Sequence, residues 1–455
     1  MRTFLVIPLI IAVLAGCAGN TDRRLEAAER AYDTDGSITS LFHSTLYYPR
    51  ELSLRFDGFI VGIEKSPREM ISHVGDIQIR PIPDAGLDDK AALKRLNDGK
   101  MMFVSHIVKN EAQLSRNGNC AVYNVYDIRG TKPTIQACVK PVLTGMHRPM
   151  RIERANREDT KTAFRDSWEA LRKLEDAIAA AVATKKYTHV VVVTMGWNTD
   201  QIEAIRNINS ITSNMVFSSP TPMNPLVIGV TWPSMWVSGW FDPVLKLTSF
   251  PYKAADADEL GVTWLGVLLH QTLPSAQSTL PLVVVGHSFG SRATMMASCV
   301  GPVIYEKVAA FKRQRIPTVI NLQGAFLTAH LLAPKAGDFH YPDRCSNVAN
   351  IVLTSSAADK ANKLPFWGEY AGDEKSFAMY CGSGSQAGNI RCAHATEAGT
   401  LENHSGNSAS NILFVNADHL IKERAYASGG GAHSDIYRHE HGQLINDIIN
   451  RKSSR

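Results

Sequence analysis

Short, continuous apolar runs alternate with longer amphipathic runs through the chain after residue 150. The short runs have the length of strands and no polar face, which is typical of parallel strands that are covered on both sides. They occupy residues 189–194, 226–231, 282–285, 318–322, 350–354 and 411–415. Strands that alternate with helices in this way predict an α/β fold with a doubly wound, mostly parallel sheet.

The clearest predicted helix covers residues 159–185. Its apolar residues recur at spacings of three and four, which places them on one face of a helix. These residues are Phe164, Trp168, Leu171, Leu174, Ile178 and Val182. Further helices are predicted over residues 201–216, 254–269, 292–313 with a break at Gly301-Pro302, and 434–450.

The pattern before residue 150 is mixed but rich in strand signals. Apolar or alternating runs occupy residues 52–63, 77–80, 101–108, 121–127 and 134–139, and short helices are predicted over residues 21–31 and 88–97. We expect residues 17–150 to form a tether and an N-terminal β-rich accessory region, or else the first strands of the main sheet. The main domain would then occupy residues 151–455.

Composition and charge are those of an ordinary globular protein. The 455 residues are 44% hydrophobic and 20% charged, with a formal net charge of +5. This net charge is small for the length, and no basic cluster is interleaved with aromatic residues. We therefore expect no nucleic-acid partner.

The first residues have the organisation of a processing segment. Arg2 supplies a positive start, and residues 4–14 are apolar but too short to span a bilayer comfortably. Leu14-Ala15-Gly16-Cys17 follows and resembles a bacterial lipoprotein signal. The resemblance implies that residues 1–16 are removed and that Cys17 carries lipid, including palmitate. The alternatives are an ordinary signal peptide with a chance cysteine, or a membrane anchor.

The same resemblance implies a place in the bacterial envelope. The residue after Cys17 is Ala18 rather than Asp, which favours the outer membrane, facing the periplasm, over the inner membrane. Cysteine usage agrees with export, because an even number remains after Cys17.

The six remaining cysteines suggest disulfides but leave their connectivity open. Cys120 and Cys138 lie opposite each other on a predicted hairpin, and Cys381 and Cys392 bracket a loop rich in Gly and Ser. Cys299 and Cys345 are left as the third pair. The alternative is that some are free buried thiols. No metal-ligand spacing occurs, so we expect neither a metal nor a cofactor.

Candidate chemistry begins at residues 281–296. Gly286-His287-Ser288-Phe289-Gly290 lies between a predicted strand and a predicted helix. G-x-S-x-G in this context is the pattern of a nucleophile elbow, in which a sharp turn exposes the serine hydroxyl. Its glycines give the turn room, and the following helix points N–H groups at the serine.

With this motif, residues 157–452 resemble the α/β-hydrolase superfamily, of the serine esterase and lipase type. The resemblance implies that Ser288 is the nucleophile and that backbone N–H groups of Phe289 and Trp197 form the oxyanion site. Trp197 lies in Met195-Gly196-Trp197-Asn198, where many relatives have His-Gly in place of Met195-Gly196. The alternative for Gly196 is a plain turn glycine.

The acid and base follow from the order Ser, Asp or Glu, His in this superfamily. Asp359 is the first carboxylate after the predicted strand 350–354, and its alternative role is a helix N-cap. His433 lies in a glycine-rich loop before the last helix and is the expected base.

Other histidines are weaker candidates for the base. His419 lies very close to the end of a strand, and His439 and His441 are expected on the solvated face of the last helix. His287 is expected to pack beside the serine rather than act as a base.

The substrate side of the site is less defined. Trp232, Trp236, Trp240 and Phe241 would line an apolar pocket or membrane-facing rim, or pack between regions of the protein. The insertion 360–410 would be a lid or a surface excursion.

The resemblance implies a lipid-anchored serine hydrolase that cleaves carboxylic esters, small or lipidic, through an acyl-enzyme. An acyltransferase or thioesterase would use the same triad. The competing class is a non-catalytic envelope lipoprotein that uses the fold as a binding module.

Overall fold

The structure is a computed structural model, and it describes the chain in segments. These are residues 53–65, 101–112, 119–125, 138, 157–197, 199, 201–234, 242–277, 279–306, 313–333, 339–363, 369–382, 390–422 and 431–453. Cys17 and the predicted elements at 21–31, 77–80 and 88–97 lie outside these segments, as do Trp236, Trp240 and Phe241.

The described strands form one 11-stranded sheet. They are β1 Gly58–Lys65, β2 Met102–Asn110, β3 Cys120–Asn124, β4 His189–Thr194, β5 Pro225–Thr231, β6 Leu282–His287, β7 Thr318–Leu322, β8 Ile351–Ser355, β9 Arg391–Ala395, β10 Leu401–Gly406 and β11 Ile412–Asn416. Their order is β10-β9-β11-β8-β7-β6-β4-β5-β1-β2-β3. The strands from β9 to β1 in this order run parallel, while β10, β2 and β3 run antiparallel to their neighbours. The predicted α/β architecture with a mostly parallel sheet is confirmed.

The described helices lie between these strands. They are α1 Arg157–Thr184, α2 Gln201–Phe217, α3 Asp242–Val262, α4 with its three consecutive parts Trp264–Val267, Leu268–Thr272 and Leu273–Ala276, α5 Phe289–Met295 with a π-helical extension Met296–Val300, α6 Ala329–Leu332, α7 Glu374–Cys381 and α8 His439–Ser453.

The core occupies both faces of the sheet. Along β4, Val190 and Val192 belong to one buried apolar cluster, and Val191 and Val193 belong to the other. The first cluster includes the apolar face of α1, and the second includes those of α2 and α8. Burial on both faces explains why this strand is apolar at consecutive positions.

Two predicted helices have different bounds in the structure, and a third ends early. The helix predicted over 254–269 begins at Asp242, because α3 continues through Pro251. The last helix begins at His439 rather than residue 434. The helix predicted over 292–313 ends at Val300, since Gly301 has a φ of 77° and Pro302 follows. Residues 301–306 are not helical, so the predicted continuation is wrong there.

The N-terminal strands extend the main sheet. β1 pairs in parallel with β5, and β2 and β3 continue the sheet by antiparallel pairing. Of the two arrangements that the sequence leaves open, the structure has the second, and the strands before residue 125 do not form a separate layer.

The insertion 360–410 also contributes to the sheet. It carries α7 and then β9 and β10, which extend the sheet beyond β11. These described parts are therefore an extension of the sheet edge rather than a lid.

Cysteine sulfurs lie within bonding distance in the three pairs considered above. The pairs are Cys120–Cys138, Cys299–Cys345 and Cys381–Cys392. The last pair ties the end of α7 to β9 within the insertion.

A change of winding direction locates the site. From β4 the chain goes to β5 on one side, and then returns to place β6 on the other side of β4. Because the connections from β4 and β6 run in opposite directions, a crevice opens at the carboxyl ends of these two strands. Such a crevice is the usual place for a ligand site in an α/β sheet. Gly196 lies in the loop just after β4, and Ser288 directly follows β6.

Candidate active site

Ser288 occupies a sharp turn between β6 and α5. Its backbone has φ 55° and ψ −123°, a region that non-glycine residues rarely adopt. The Ser288 N–H donates to the Leu322 carbonyl at 3.1 Å, while the Ser288 carbonyl accepts from the N–H groups of Ser291 and Ala325. The strained conformation is thus held by the neighbouring strand and by the first turn of the helix.

The glycines of the motif make this turn compact. A Cβ on Gly286 would lie 2.5 Å from Ser291 Cα, and one on Gly290 would meet the carbonyl oxygens of Thr194 and Met195. Side chains at either position would push α5 away from β4 and β6. The predicted elbow residues therefore do have the geometric role that the motif requires.

The loop after β4 contacts the serine. A Cβ on Gly196 would lie 2.6 Å from Ser288 Cβ and 2.9 Å from the His287 carbonyl oxygen, so only glycine allows this approach. Gly196 is therefore more than a plain turn glycine. Within the described segments, neither the Phe289 N–H nor the Trp197 N–H donates a hydrogen bond. Both groups remain candidates for binding an oxyanion.

Trp232 positions this loop. Its indole Nε1–H donates to the Met195 carbonyl at 2.8 Å, and its side chain is buried. Of the two roles considered for the aromatic cluster, packing describes Trp232. Sequence reasoning grouped it with the other aromatics and did not find this contact, because only the strand order brings it beside β4.

Asp359 and His433 form a hydrogen-bonded pair. His433 Nδ1 donates to Asp359 Oδ2 at 2.8 Å. Because Nδ1 carries the proton of the neutral ring, Nε2 is the nitrogen that can accept one. The His433 side chain is 13% exposed, and that of Asp359 is fully buried. The structure thus brings the two predicted residues together, and their catalytic roles stay predictions.

The surroundings of Asp359 favour its ionised form. Burial by itself raises the pKa of a carboxyl group, but His433 and the amide groups of Gln323 and Asn362 outweigh it, so the pKa of Asp359 lies below its ordinary value. The other oxygen, Oδ1, accepts the backbone N–H groups of Ala361 at 3.0 Å and Asn362 at 3.3 Å. Asp359 therefore also caps the short 3₁₀ turn Ala361–Lys363, the alternative role that the sequence suggested.

His287 packs against His433, whereas the sequence predicts that it packs beside the serine. Its Nε2–H donates to the His433 carbonyl at 2.9 Å, and the two rings lie 4.9 Å apart between centroids. Burial lowers the pKa of His287 to about 3, so the ring is neutral near pH 7. This contact fixes the backbone of His433 against the strand that carries Ser288.

No hydrogen bond joins Ser288 Oγ to the His433 ring among the described residues. The contact of His287 with His433 places the ring next to the elbow, but the bond that a serine nucleophile needs is not formed. Hydrogen bonds of this kind are often long in ligand-free enzymes and shorten in the substrate complex.

The other histidines lie elsewhere. His419 and His439 are exposed. His441 was expected on a solvated face, but it is 2% exposed and has no hydrogen-bond partner on either ring nitrogen within the described chain. The prediction is wrong because α8 packs closely against α2, where Gly442 contacts the Asn214 carbonyl.

Aromatic side chains line the region beside the elbow. Phe250 of α3 lies 4.7 Å from Phe289 and 5.8 Å from Trp197 between ring centroids, and Tyr370 lies 6.3 Å from Phe250. Phe250 and Tyr370 had no motif that could have identified them. Together with Phe289 and Trp197 they form a buried aromatic cluster that packs against the residues following β4 and β6.

Metal-ligating side chains do not gather in groups of three or more in the described segments. The groups that the structure does bring together are a serine, a histidine–aspartate pair, backbone N–H groups and aromatic rings.

The chain matches no protein-family model, no curated protein and no solved structure.

Proposed function

We propose that the protein is a serine hydrolase with an α/β-hydrolase fold that cleaves carboxylic esters. The observation that carries the proposal is the combination of a serine at φ 55° after β6 with a buried, hydrogen-bonded Asp359–His433 pair after β8 and β11. A serine, a base and an orienting acid at the carboxyl edge of one parallel sheet are the groups that acyl transfer requires.

In the proposed reaction, Ser288 Oγ attacks the ester carbonyl carbon while His433 Nε2 takes the serine proton. The negative charge on the carbonyl oxygen is stabilised by the N–H groups of Phe289 and Trp197. His433 then donates the proton to the leaving alcohol, and Asp359 stabilises the imidazolium in between. Water, activated by His433, releases the acid from Ser288.

The aromatic cluster beside Ser288 favours an ester with a hydrophobic acyl group or alcohol. Phe289 follows Ser288 directly, and Phe250 and Trp197 pack against its ring, so the surroundings of the serine are rich in carbon. The proposed substrates are accordingly small-molecule or lipid esters.

A fluorophosphonate probe tests the proposal directly. It should form a covalent adduct on Ser288 of the wild-type protein, which peptide mass spectrometry would locate within residues 281–296. Ser298→Ala is a matched control, because Ser298 is also a buried serine but its hydroxyl has no hydrogen-bond partner in the described chain. This variant should label at the wild-type rate.

A panel of aryl esters of increasing chain length completes the test. Wild-type protein that neither takes the label nor cleaves any ester would favour the competing function, a non-catalytic binding module. Acyl transfer to an added alcohol in preference to water would instead identify an acyltransferase.

The proposal also places the enzyme in the bacterial envelope, attached through lipid on Cys17. It is supported by Leu14-Ala15-Gly16-Cys17 and by the three cysteine pairs, since disulfides persist in oxidising compartments. None of the helices in the described segments is both long and apolar enough to cross a membrane.

The anchor is testable by a single substitution. Cys17→Ser should abolish incorporation of labelled palmitate and move the protein from the membrane fraction to the soluble fraction. Continued palmitate labelling of this variant would contradict the assignment.

A further inference from the structure

Gln323 is a buried residue that the reaction above does not use. It directly follows β7, the strand next to the elbow strand, and its side chain is inaccessible to solvent. Its backbone has φ 49°, a conformation that side chains other than glycine rarely adopt. Strained backbone conformations cluster at functional sites, where the surrounding structure keeps them in place.

Thr354 fixes the orientation of the Gln323 amide. The Gln323 backbone N–H donates to Thr354 Oγ1 at 3.0 Å, and the Thr354 hydroxyl donates to Gln323 Oε1 at 3.0 Å. The side-chain NH₂ group therefore faces the other way and donates to Asp359 Oδ2 at 2.9 Å. The reverse orientation would place Oε1 against a carboxylate oxygen, which is unfavourable.

Gln323 also holds Asp359 indirectly. The Gln323 backbone carbonyl accepts from Asn362 Nδ2 at 3.2 Å, and the Asn362 NH₂ group also donates to Asp359 Oδ2 at 2.8 Å. Together with His433 Nδ1, three donors thus converge on one carboxylate oxygen. Each additional donor takes a share of the negative charge that would otherwise attract the His433 ring.

We propose that Gln323 is a positioning residue for the catalytic pair: it aims Asp359 Oδ2 at His433 Nδ1 and, by sharing that oxygen, limits how strongly the carboxylate stabilises the imidazolium. The inference rests on the proposed function, in which His433 must accept a proton and release it again. An imidazolium that is held too strongly would leave less neutral His433 to activate Ser288.

Within the described segments, few other ionisable groups lie near the His433 ring. From β6, His287 packs against it, and from the segment after it, Tyr437 lies near His287. Asp435 is paired with Arg438 and accepts the backbone N–H of Lys422. Asp359 contacts the ring as a charged group of the described chain, so changes at Asp359 Oδ2 should affect its titration strongly.

Gln323→Met tests the inference, because it keeps the length of the side chain and removes the donor. The readout is an NMR titration of the His433 ring in the absence of substrate. With fewer donors on Oδ2, the imidazolium is better stabilised, and we expect the titration midpoint to move up by about half a pH unit to one unit. The acidic limb of kcat/KM for ester cleavage should move up by the same amount.

Two further variants keep the test decisive. Gln323→Asn, whose amide is one methylene too short to reach Asp359, should shift the midpoint in the same direction if Gln323→Met does not fold. Asn446→Leu is the matched control, since Asn446 is a buried amide that donates to Met215 and Ser218 away from the site. It should lower stability without moving the midpoint.

An unchanged midpoint in both Gln323 variants would overturn the inference, as would an equal shift in Asn446→Leu. Because the titration needs no substrate, a shift without fluorophosphonate labelling would sustain the role of Gln323 toward His433 while the proposed function fails. Fluorophosphonate labelling with an unchanged titration midpoint in the Gln323 variants would sustain the proposed function while the role of Gln323 fails.

Discussion

Replacing Ser288 with alanine is expected to lower the rate of ester cleavage by about 10⁴-fold or more. Under the proposed mechanism the variant retains the candidate oxyanion N–H groups of Phe289 and Trp197 but lacks the oxygen that would form the acyl-enzyme. His433→Ala should cause a loss of similar size, and the double variant should be little worse than either single variant, because the two groups act as a unit. Initial rates of aryl alcohol release would measure these effects.

The fold should survive Ser288→Ala. Ser288 adopts a strained φ of 55°, and removing its hydroxyl breaks no hydrogen bond that the described chain makes. Thermal unfolding of Ser288→Ala close to that of the wild type would confirm this. A variant that keeps more than a tenth of the wild-type rate would show that the esterase activity resides elsewhere.

Acid is expected to destabilise the protein steeply between about pH 6.5 and pH 4, because three histidines are buried in the neutral form. Burial lowers the pKa of His106 and of His287 to about 3, and that of His441 to about 4. The unfolded chain binds protons on all three below about pH 6.5, while the folded chain does not. The free energy of unfolding must therefore fall as the pH falls through this range.

Glu259 works in the opposite direction. Burial raises its pKa well above the ordinary value, which opposes the effect of the histidines and reduces the slope. Each histidine proton that only the unfolded chain binds contributes about 1.4 kcal/mol per pH unit. Urea unfolding at a series of pH values, with the disulfides intact, would measure the net slope.

His441→Phe isolates one of the three contributions. The slope should decrease by about 1.4 kcal/mol per pH unit, which is the effect of one proton. Near pH 7 the variant should be at least as stable as the wild type, since it removes two buried nitrogens that lack partners. His439→Ala, an exposed histidine on the same helix, should leave the slope unchanged. A slope in His441→Phe equal to that of the wild type would refute the assignment of His441.

The centre of the sheet could be predicted closely from the sequence. The predicted runs 189–194 and 318–322 match β4 and β7 in full, because strands buried on both faces are apolar at most consecutive positions. The elbow was recognisable for a different reason. The close packing of β6, α5 and β4 leaves room only for glycine at Gly286 and Gly290.

The edges of the sheet and the supports of the site were not predictable in the same way. β9 and β10 read RCAHA and LENHSG, since strands near an edge need not be apolar on both faces. Gln323 carries no motif, and its contact with Asp359 exists because β7 and β8 pair side by side. Local patterns cannot report such contacts, which depend on strand order.

The order of the strands has a consequence for how the site comes into being. The parts of the candidate site lie beyond the ends of β4, β6, β8 and β11 and extend in the sequence from Gly196 to His433. Contacts among them therefore close long loops of chain. Parallel pairings of this kind form slowly, because the entropy of loop closure is lost before any contact compensates for it. During synthesis Ser288 is made before Asp359 and His433. The proposed triad therefore cannot assemble until the segment that carries His433 has folded onto the sheet.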